Sequence, residues 1–170
     1  MLNSLCKRLL HTNQVIPWLK VAVTSGEARK YTIAKDIDTV SLFANKKVVL
    51  VGFPGAFTPT CTNHHLPQFV KLHGSFSNKG VEVIGLSIND PFVLKEFAQE
   101  LDTTIPFICD GSGEFTKAIE AGVDLSEKNL GYRTRRFTAL VENGTITLLN
   151  DENGGQLTDI SSAETILKSL

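Results

Sequence analysis

Cys61 closes the stretch Pro54-Gly-Ala-Phe-Thr58-Pro-Thr-Cys61, and chemistry in this chain is most readily centred there. A nucleophilic sulfur needs its thiolate stabilised, needs access, and needs charge partners. The polar-apolar pattern that follows places Cys61 at the start of a helix. Helix N-termini present unpaired N–H groups and a partial positive charge, both of which favour a thiolate. Thr58 lies about one helical turn earlier, and its hydroxyl can donate to a thiolate or accept from a substrate O–H. Pro54 and Pro59 stiffen the loop and so hold reacting groups in place. A bare cysteine at a helix start also fits a buried, inert thiol. His64 and His65 follow closely, but adjacent helical residues point about 100° apart and no fourth ligand is in evidence, which argues against zinc. His65 reads instead as packing or hydrogen-bonding behind the helix.

The elements that must position Cys61 read as an alternation of strands and helices. Lys46–Val51 is a short apolar run bounded by lysines and by Gly and Pro, the pattern of a buried central strand. The helix after it is expected over 61–78, kinked by Pro67 and stopped at Gly80. Upstream, 19–24 and 29–33 form a hairpin about Ser25-Gly26, and 36–44 a short helix with Ile37, Val40 and Phe43 on one face. Downstream, 81–88 and 105–109 are strands, and Asp90-Pro91 caps a helix over 92–101. Residues 114–121 are helical. The strands 136–142 and 145–149 flank Asn143-Gly144, a strong hairpin signal. Ser161 and Glu164 form a capping-box pattern before the last helix. The expected architecture is α/β, a thioredoxin-like mixed sheet with helices on both faces and an N-terminal hairpin.

At 170 residues the chain suits a tail over 1–14 and one domain over 15–170. A formal net charge of −1 implies no nucleic-acid surface, and no apolar run is long enough for a membrane span. Three cysteines make no disulfide scaffold and favour a reducing compartment. The first fourteen residues carry Lys7 and Arg8, no acid, and leucines at 2, 5, 9 and 10. That suits a mitochondrial targeting segment, with a frayed terminus of a cytoplasmic protein as the alternative.

The string Pro54-Gly-Ala-Phe-Thr58-Pro-Thr-Cys61, with His65-Leu-Pro67 after it, resembles the peroxiredoxin signature in its type II, peroxiredoxin-5 branch. Leu86-Ser-Ile-Asn-Asp-Pro-Phe-Val93, Asp110-Gly-Ser-Gly-Glu-Phe-Thr116 and Arg133-Thr-Arg-Arg-Phe137 extend the resemblance, which runs from about Ile16 to Leu170. It implies a thioredoxin-like fold and thiol peroxidase activity, with Cys61 as peroxidatic cysteine and Thr58 and Pro54 as the residues that hydrogen-bond and shield it. Arg136 then takes the place of the active-site arginine, and Arg133 and Arg135 are expected on the surface. No metal, haem or flavin is implied.

The family's resolving-cysteine positions carry Gly85 and Asp159 here. Cys109 ends an apolar strand and reads as core, and Cys6 lies in the tail. A one-cysteine mechanism is expected, reduced by glutathione or glutaredoxin, with thioredoxin as a further donor. The substrate is a peroxide, and a homodimer packed on Phe53 and Phe57 is expected. The competing classes are a cysteine hydrolase, which needs a histidine held against the sulfur, and a non-catalytic thioredoxin-fold binding module.

Overall fold

Residues 10–27 and 30–170 are described by a computed structural model of the chain. The chain begins on an antiparallel pair, β1 (Lys20–Glu27) and β2 (Lys30–Asp38), followed by α1 (Thr39–Phe43) and β3 (Lys47–Gly52). A π-helical turn, Cys61–His65, leads into α2 (Leu66–Asn78). Then come β4 (Glu82–Ser87), α3 (Pro91–Glu100), β5 (Phe107–Cys109) and α4 (Glu114–Ala118). A two-stranded ribbon of β6 (Gly122–Asp124) and β7 (Tyr132–Thr134) precedes β8 (Phe137–Glu142), β9 (Thr145–Asp151) and α5 (Ala163–Lys168).

Seven strands form one sheet in the order β2-β1-β5-β4-β3-β8-β9. The β3–β4 and β4–β5 pairs are parallel and the others antiparallel, so this is the mixed sheet expected. β4 is the middle strand, and β3, expected there, lies beside it, still interior and buried on both faces, which is why it reads as an unbroken apolar run. Val49 and Val51 join one core, with α2, α3 and α5. Val48 and Leu50 join the other, with Phe43 of α1 and Phe115 of α4. Each such side chain, fully buried, contributes roughly 1.5–3 kcal/mol.

Two aromatic rings fix the register at the end of the sheet that carries Cys61. Phe137 of β8 lies opposite Gly52, and Phe107 of β5 lies opposite Gly85. A Cβ on Gly52 would come within 2.2 Å of the Phe137 ring, and one on Gly85 within 2.3 Å of the Phe107 ring. The rings belong to opposite cores, so each face of the sheet is filled from a neighbouring strand.

Several local expectations shift. Ser25 and Gly26 do not turn the hairpin: they pair with Thr32 and Tyr31 inside it, the glycine making room for the Tyr31 ring. The helix expected over 36–44 is confined to α1, because β2 runs on to Asp38, whose carboxylate caps α1 through Ser41 N (2.8 Å). Ile37 therefore lies in a strand, and Val40 faces solvent while Phe43 is buried. α5 is capped by Ser162, which accepts from Thr165 N, since the Ser161 hydroxyl is bound to Glu152. The Asn143-Gly144 turn, the Asp90 cap and the Gly80 stop fall where expected: Asn143 and Gly144 both take positive φ, and Gly80 N and Val81 N close the end of α2 on Ser77 O and Phe76 O.

Met1–Leu9, and with them Cys6 and most of the expected targeting segment, lie outside the described residues. Leu10 is buried, and Asn13 and Gln14 bond to Ile146 of β9, so this end of the expected tail packs on the sheet.

Candidate active site

β3 delivers the chain to the site. Phe53 N still bonds to Leu86 O (3.1 Å), and the loop 54–58 then leaves the sheet. Three groups hold that loop. Asn89 Oδ1 accepts from Ala56 N (3.0 Å) and from Ser87 Oγ (2.8 Å). Arg133 donates through Nη1 to Pro54 O (3.4 Å) and through Nε to Leu130 O (2.6 Å). Thr58 Oγ1 donates to Gly55 O (2.8 Å), so its proton is used inside the loop and not on the Cys61 sulfur.

Helical geometry begins at Pro59, and Thr62 N bonds to Thr58 O (3.0 Å), which sets Cys61 in the first turn. The continuous helix expected from Cys61 is instead a wide turn, in which Leu66 N reaches back five residues to Cys61 O. Pro67, next in line, has no N–H and its ring would clash with the carbonyl of a regular preceding turn. The π turn accommodates it, and Pro67 then sits in the first turn of α2, where no donor is needed.

Cys61 is 1% exposed, and Arg136 Nη2 donates to its sulfur at 3.5 Å. Arg136 is itself buried, and its Nε and Nη1 have no hydrogen-bond partner among the described residues. A guanidinium with free N–H groups beside a sulfur can stabilise the thiolate and charge developing on a bound oxygen. Pro54, Thr58 and Arg136 together line a cleft of about 630 Å³. The four residues singled out from sequence are thus gathered at one place.

The other two arginines are not free surface side chains: Arg135 is buried and Arg133 half-buried. Arg135 is paired with Asp151 (Nη2–Oδ2 2.7 Å) and donates to Glu120 O (2.7 Å). Arg133 clamps the loop. Asn89, Arg133 and Glu152 were not singled out by the sequence, because each acts through a backbone group or a loop distant in the chain.

His65 is fully buried behind the turn, its Nε2 donating to Ser161 O (3.2 Å), while His64 is exposed at the cleft. Burial, reinforced by the Arg136 charge, pushes the His65 pKa down to about 3, so the ring is neutral. Among the described residues no histidine is bonded to Cys61, whereas a cysteine hydrolase requires one there. Cys109 ends β5, buried, its thiol donating to Phe107 O (3.4 Å), and burial pushes its pKa up to about 11. Gly85 lies beneath the Phe107 ring and Asp159 is exposed. Phe53, expected at an interface, is instead buried between Phe97 and Phe107, and Phe57 is half exposed with its ring against Phe97.

A strand–loop–helix unit that sets a thiol in the first helical turn of a mixed sheet, beside a buried arginine, defines a thioredoxin-like thiol redox centre. The redoxin family model matches residues 21–167. Peroxiredoxin-2C of Oryza sativa subsp. japonica is 48% identical over 139 residues, covering 80% of this chain and 85% of its own. Reduced Prx3 of Vibrio vulnificus in complex with hydrogen peroxide superposes with a TM-score of 0.81 at 32% identity, over 95% of this chain and 96% of that one. The Plasmodium falciparum antioxidant protein, a 1-Cys peroxiredoxin, gives 0.82 at 30% identity, over 92% and 97%. The chain belongs to the peroxiredoxin family and is a thiol-dependent peroxidase with an antioxidant function.

Proposed function

We propose that Cys61 is the peroxidatic residue and that the protein reduces hydrogen peroxide and organic hydroperoxides with electrons from an external thiol. The Cys61 thiolate attacks the nearer peroxide oxygen. The S–O bond forms as the O–O bond breaks, the sulfur is oxidised by two electrons to a sulfenic acid, and the far oxygen leaves with a proton as water or alcohol. A thiol then displaces water from the sulfenic acid to give a mixed disulfide. A second thiol releases Cys61 and carries away the disulfide.

The observation that carries this reading is the Arg136 guanidinium, one N–H on the Cys61 sulfur at 3.5 Å and two further nitrogens free in the same buried place. Those N–H groups suit the two peroxide oxygens, where charge develops in the transition state. Thr58 has acceptor capacity left for a peroxide O–H, and Pro54 shields the sulfur. The Vibrio relative's complex with hydrogen peroxide supports the substrate.

Glutathione, directly or through glutaredoxin, is the donor we favour, with thioredoxin as the alternative. Gly85 and Asp159 leave no thiol at the two family positions, and Cys109, held protonated, is a poor nucleophile at neutral pH. The 1-Cys relative supports the same scheme. We further propose a homodimer packed beside Phe57, a single domain over 15–170 with residues 10–14 laid on its sheet, and mitochondrial delivery by the segment 1–14.

Equimolar peroxide added to reduced protein, followed by dimedone and intact mass, tests the site. One adduct at Cys61, absent from Cys61→Ser and retained in the Cys6→Ser/Cys109→Ser double variant, is expected. The double variant should also keep full glutathione-linked turnover. Loss of two hydrogens in the wild type would sink the one-cysteine scheme. A concentration-independent monomer mass in sedimentation would remove the dimer, and a reporter fused to Met1–Gln14 that stays cytosolic would remove the targeting role.

A further inference from the structure

Behind the site lies a closed circuit of contacts that the reaction scheme above does not use. Cys61 and His65 stand at the two ends of the π turn. His65 Nε2 donates to Ser161 O (3.2 Å), and Ser161 N and Oγ donate to Glu152 Oε1 (3.2 and 2.8 Å). Glu152 N donates to Arg136 O (3.1 Å), and Arg136 Nη2 returns to the Cys61 sulfur (3.5 Å). Every member of the circuit is buried.

Glu152 is the member that calls for an explanation. A buried carboxylate is costly unless its oxygens are satisfied. Here Thr158 N and Oγ1 also donate to it (2.9 Å each at the closest), so that four donors converge on one side chain. Burial alone would favour the neutral acid, but these hydrogen bonds outweigh it and hold the carboxyl below its usual range. A charged group fixed this firmly resists sliding. What it fixes is the segment 158–161, whose Ser161 carbonyl holds the Cys61 turn, while its own backbone N–H holds the strand end that carries Arg136.

We propose that Glu152 is a positioning residue for the peroxide step, setting the turn that carries Cys61 against the strand end that carries Arg136 through Ser161 and His65. This rests on Cys61 and Arg136 being the reactive pair proposed above. Misplacement of reacting groups by about 1 Å can cost on the order of 100-fold in rate, so a loosened circuit should be felt in the peroxide reaction first. Alkylation of the same sulfur needs only an accessible thiolate and no guanidinium aimed at an oxygen.

The test compares two rates on each variant, at a temperature where circular dichroism shows it folded: Cys61 oxidation by hydrogen peroxide, and Cys61 alkylation by iodoacetamide. Glu152→Gln, which keeps the shape and removes the charge, should oxidise about tenfold or more slowly while its alkylation changes less than twofold. Thr158→Val, at an exposed position that removes one donor, should show the same selectivity at about threefold, and it carries the test if Glu152→Gln does not fold. Ser162→Ala, which removes the α5 cap without touching the circuit, should lower Tm and leave the peroxide rate unchanged. The proposal is overturned if Glu152→Gln oxidises within twofold of wild type. Peroxide and alkylation rates that fall together would also overturn it, as would Ser162→Ala slowing oxidation as much as Glu152→Gln. A wild-type protein that does not oxidise at Cys61 would instead refute the reactive pair itself.

Discussion

Acid should destabilise this protein through one buried ring. His65 is completely enclosed, and burial first, then the Arg136 charge, lowers its pKa from 6.5 to about 3. In the unfolded chain the same imidazole takes up a proton near pH 6.5, so below that pH the unfolded state binds more protons than the folded one. The contribution of His65 is therefore present in full above pH 6.5 and is lost as pH falls toward 3. One pKa unit corresponds to about 1.4 kcal/mol, so the whole window is worth about 4–5 kcal/mol and the interval from pH 7 to pH 5 about 2 kcal/mol. For a chain of this size that interval amounts to roughly 4–8 °C in Tm. His65→Gln keeps an N–H for the Ser161 carbonyl and cannot titrate, so it isolates the effect from carboxylates that titrate in both proteins. Urea unfolding followed by far-UV circular dichroism at pH 7, 6 and 5 gives the comparison. Wild type should lose about 2 kcal/mol more than His65→Gln between pH 7 and 5. Parallel curves, agreeing within about 0.5 kcal/mol, would mean that the ring charges in place and that the reasoning from burial fails.

At the other end of the pH scale, Cys109 keeps its proton in the folded state to about pH 11 against 9.0 for the ordinary thiol. Stability should therefore fall as pH rises from 9 toward 11, by up to about 2 kcal/mol, in a Cys61→Ser background and not in Cys61→Ser/Cys109→Ala; equal alkaline slopes would refute it. Gly85→Ala places a methyl where the Phe107 ring lies and should cost roughly 1–3 kcal/mol in urea unfolding, a neutral result showing that the ring swings freely. Arg136→Gln should slow oxidation of Cys61 by about 100–1,000-fold while iodoacetamide alkylation changes far less; equal falls would show that the guanidinium serves the thiolate alone.

What the sequence made legible is what neighbours in the chain decide. The apolar run of β3, the Asn143-Gly144 turn, Asp90 before Pro91 and Gly80 after α2 each carry their own physical cause within a few residues. The misread places are those where a distant group intervenes. Ser25-Gly26 carries a turn signal, but the Tyr31 ring across the hairpin uses the glycine for space. Ser161 and Ser162 offer the same capping chemistry, and only Glu152, nine residues upstream, settles which is free. The β6–β7 ribbon leaves no mark in the sequence, because strands of three residues, half exposed, have no period to read. At the site, Pro54, Thr58 and Cys61 lie within eight residues of one another and carry their signal in that short string, whereas Asn89 and Arg133 act on the loop through backbone groups that no spacing reports. Among three nearby arginines, residue type gave no basis for choosing Arg136.

The rings seated on Gly52 and Gly85 bear on that choice of arginine. Side chains alternate across a strand, and residues 136, 138 and 140 look toward the core that holds Cys61, while 137, 139 and 141 look toward the other. Arg135 and Arg136 are chemically identical and adjacent, and only the parity of their positions separates a buried structural ion pair from a guanidinium that meets the Cys61 sulfur. If β8 slid by one residue along β3, the two would exchange faces: Arg135 would turn toward the core that holds the sulfur and Arg136 toward the other. Such a slip moves the Phe137 ring off the one residue of β3 that lacks a Cβ and drives it against a neighbouring side chain. Gly52 thus works as a detent for the strand, and its absent methyl group selects which of two equal cations meets the thiol.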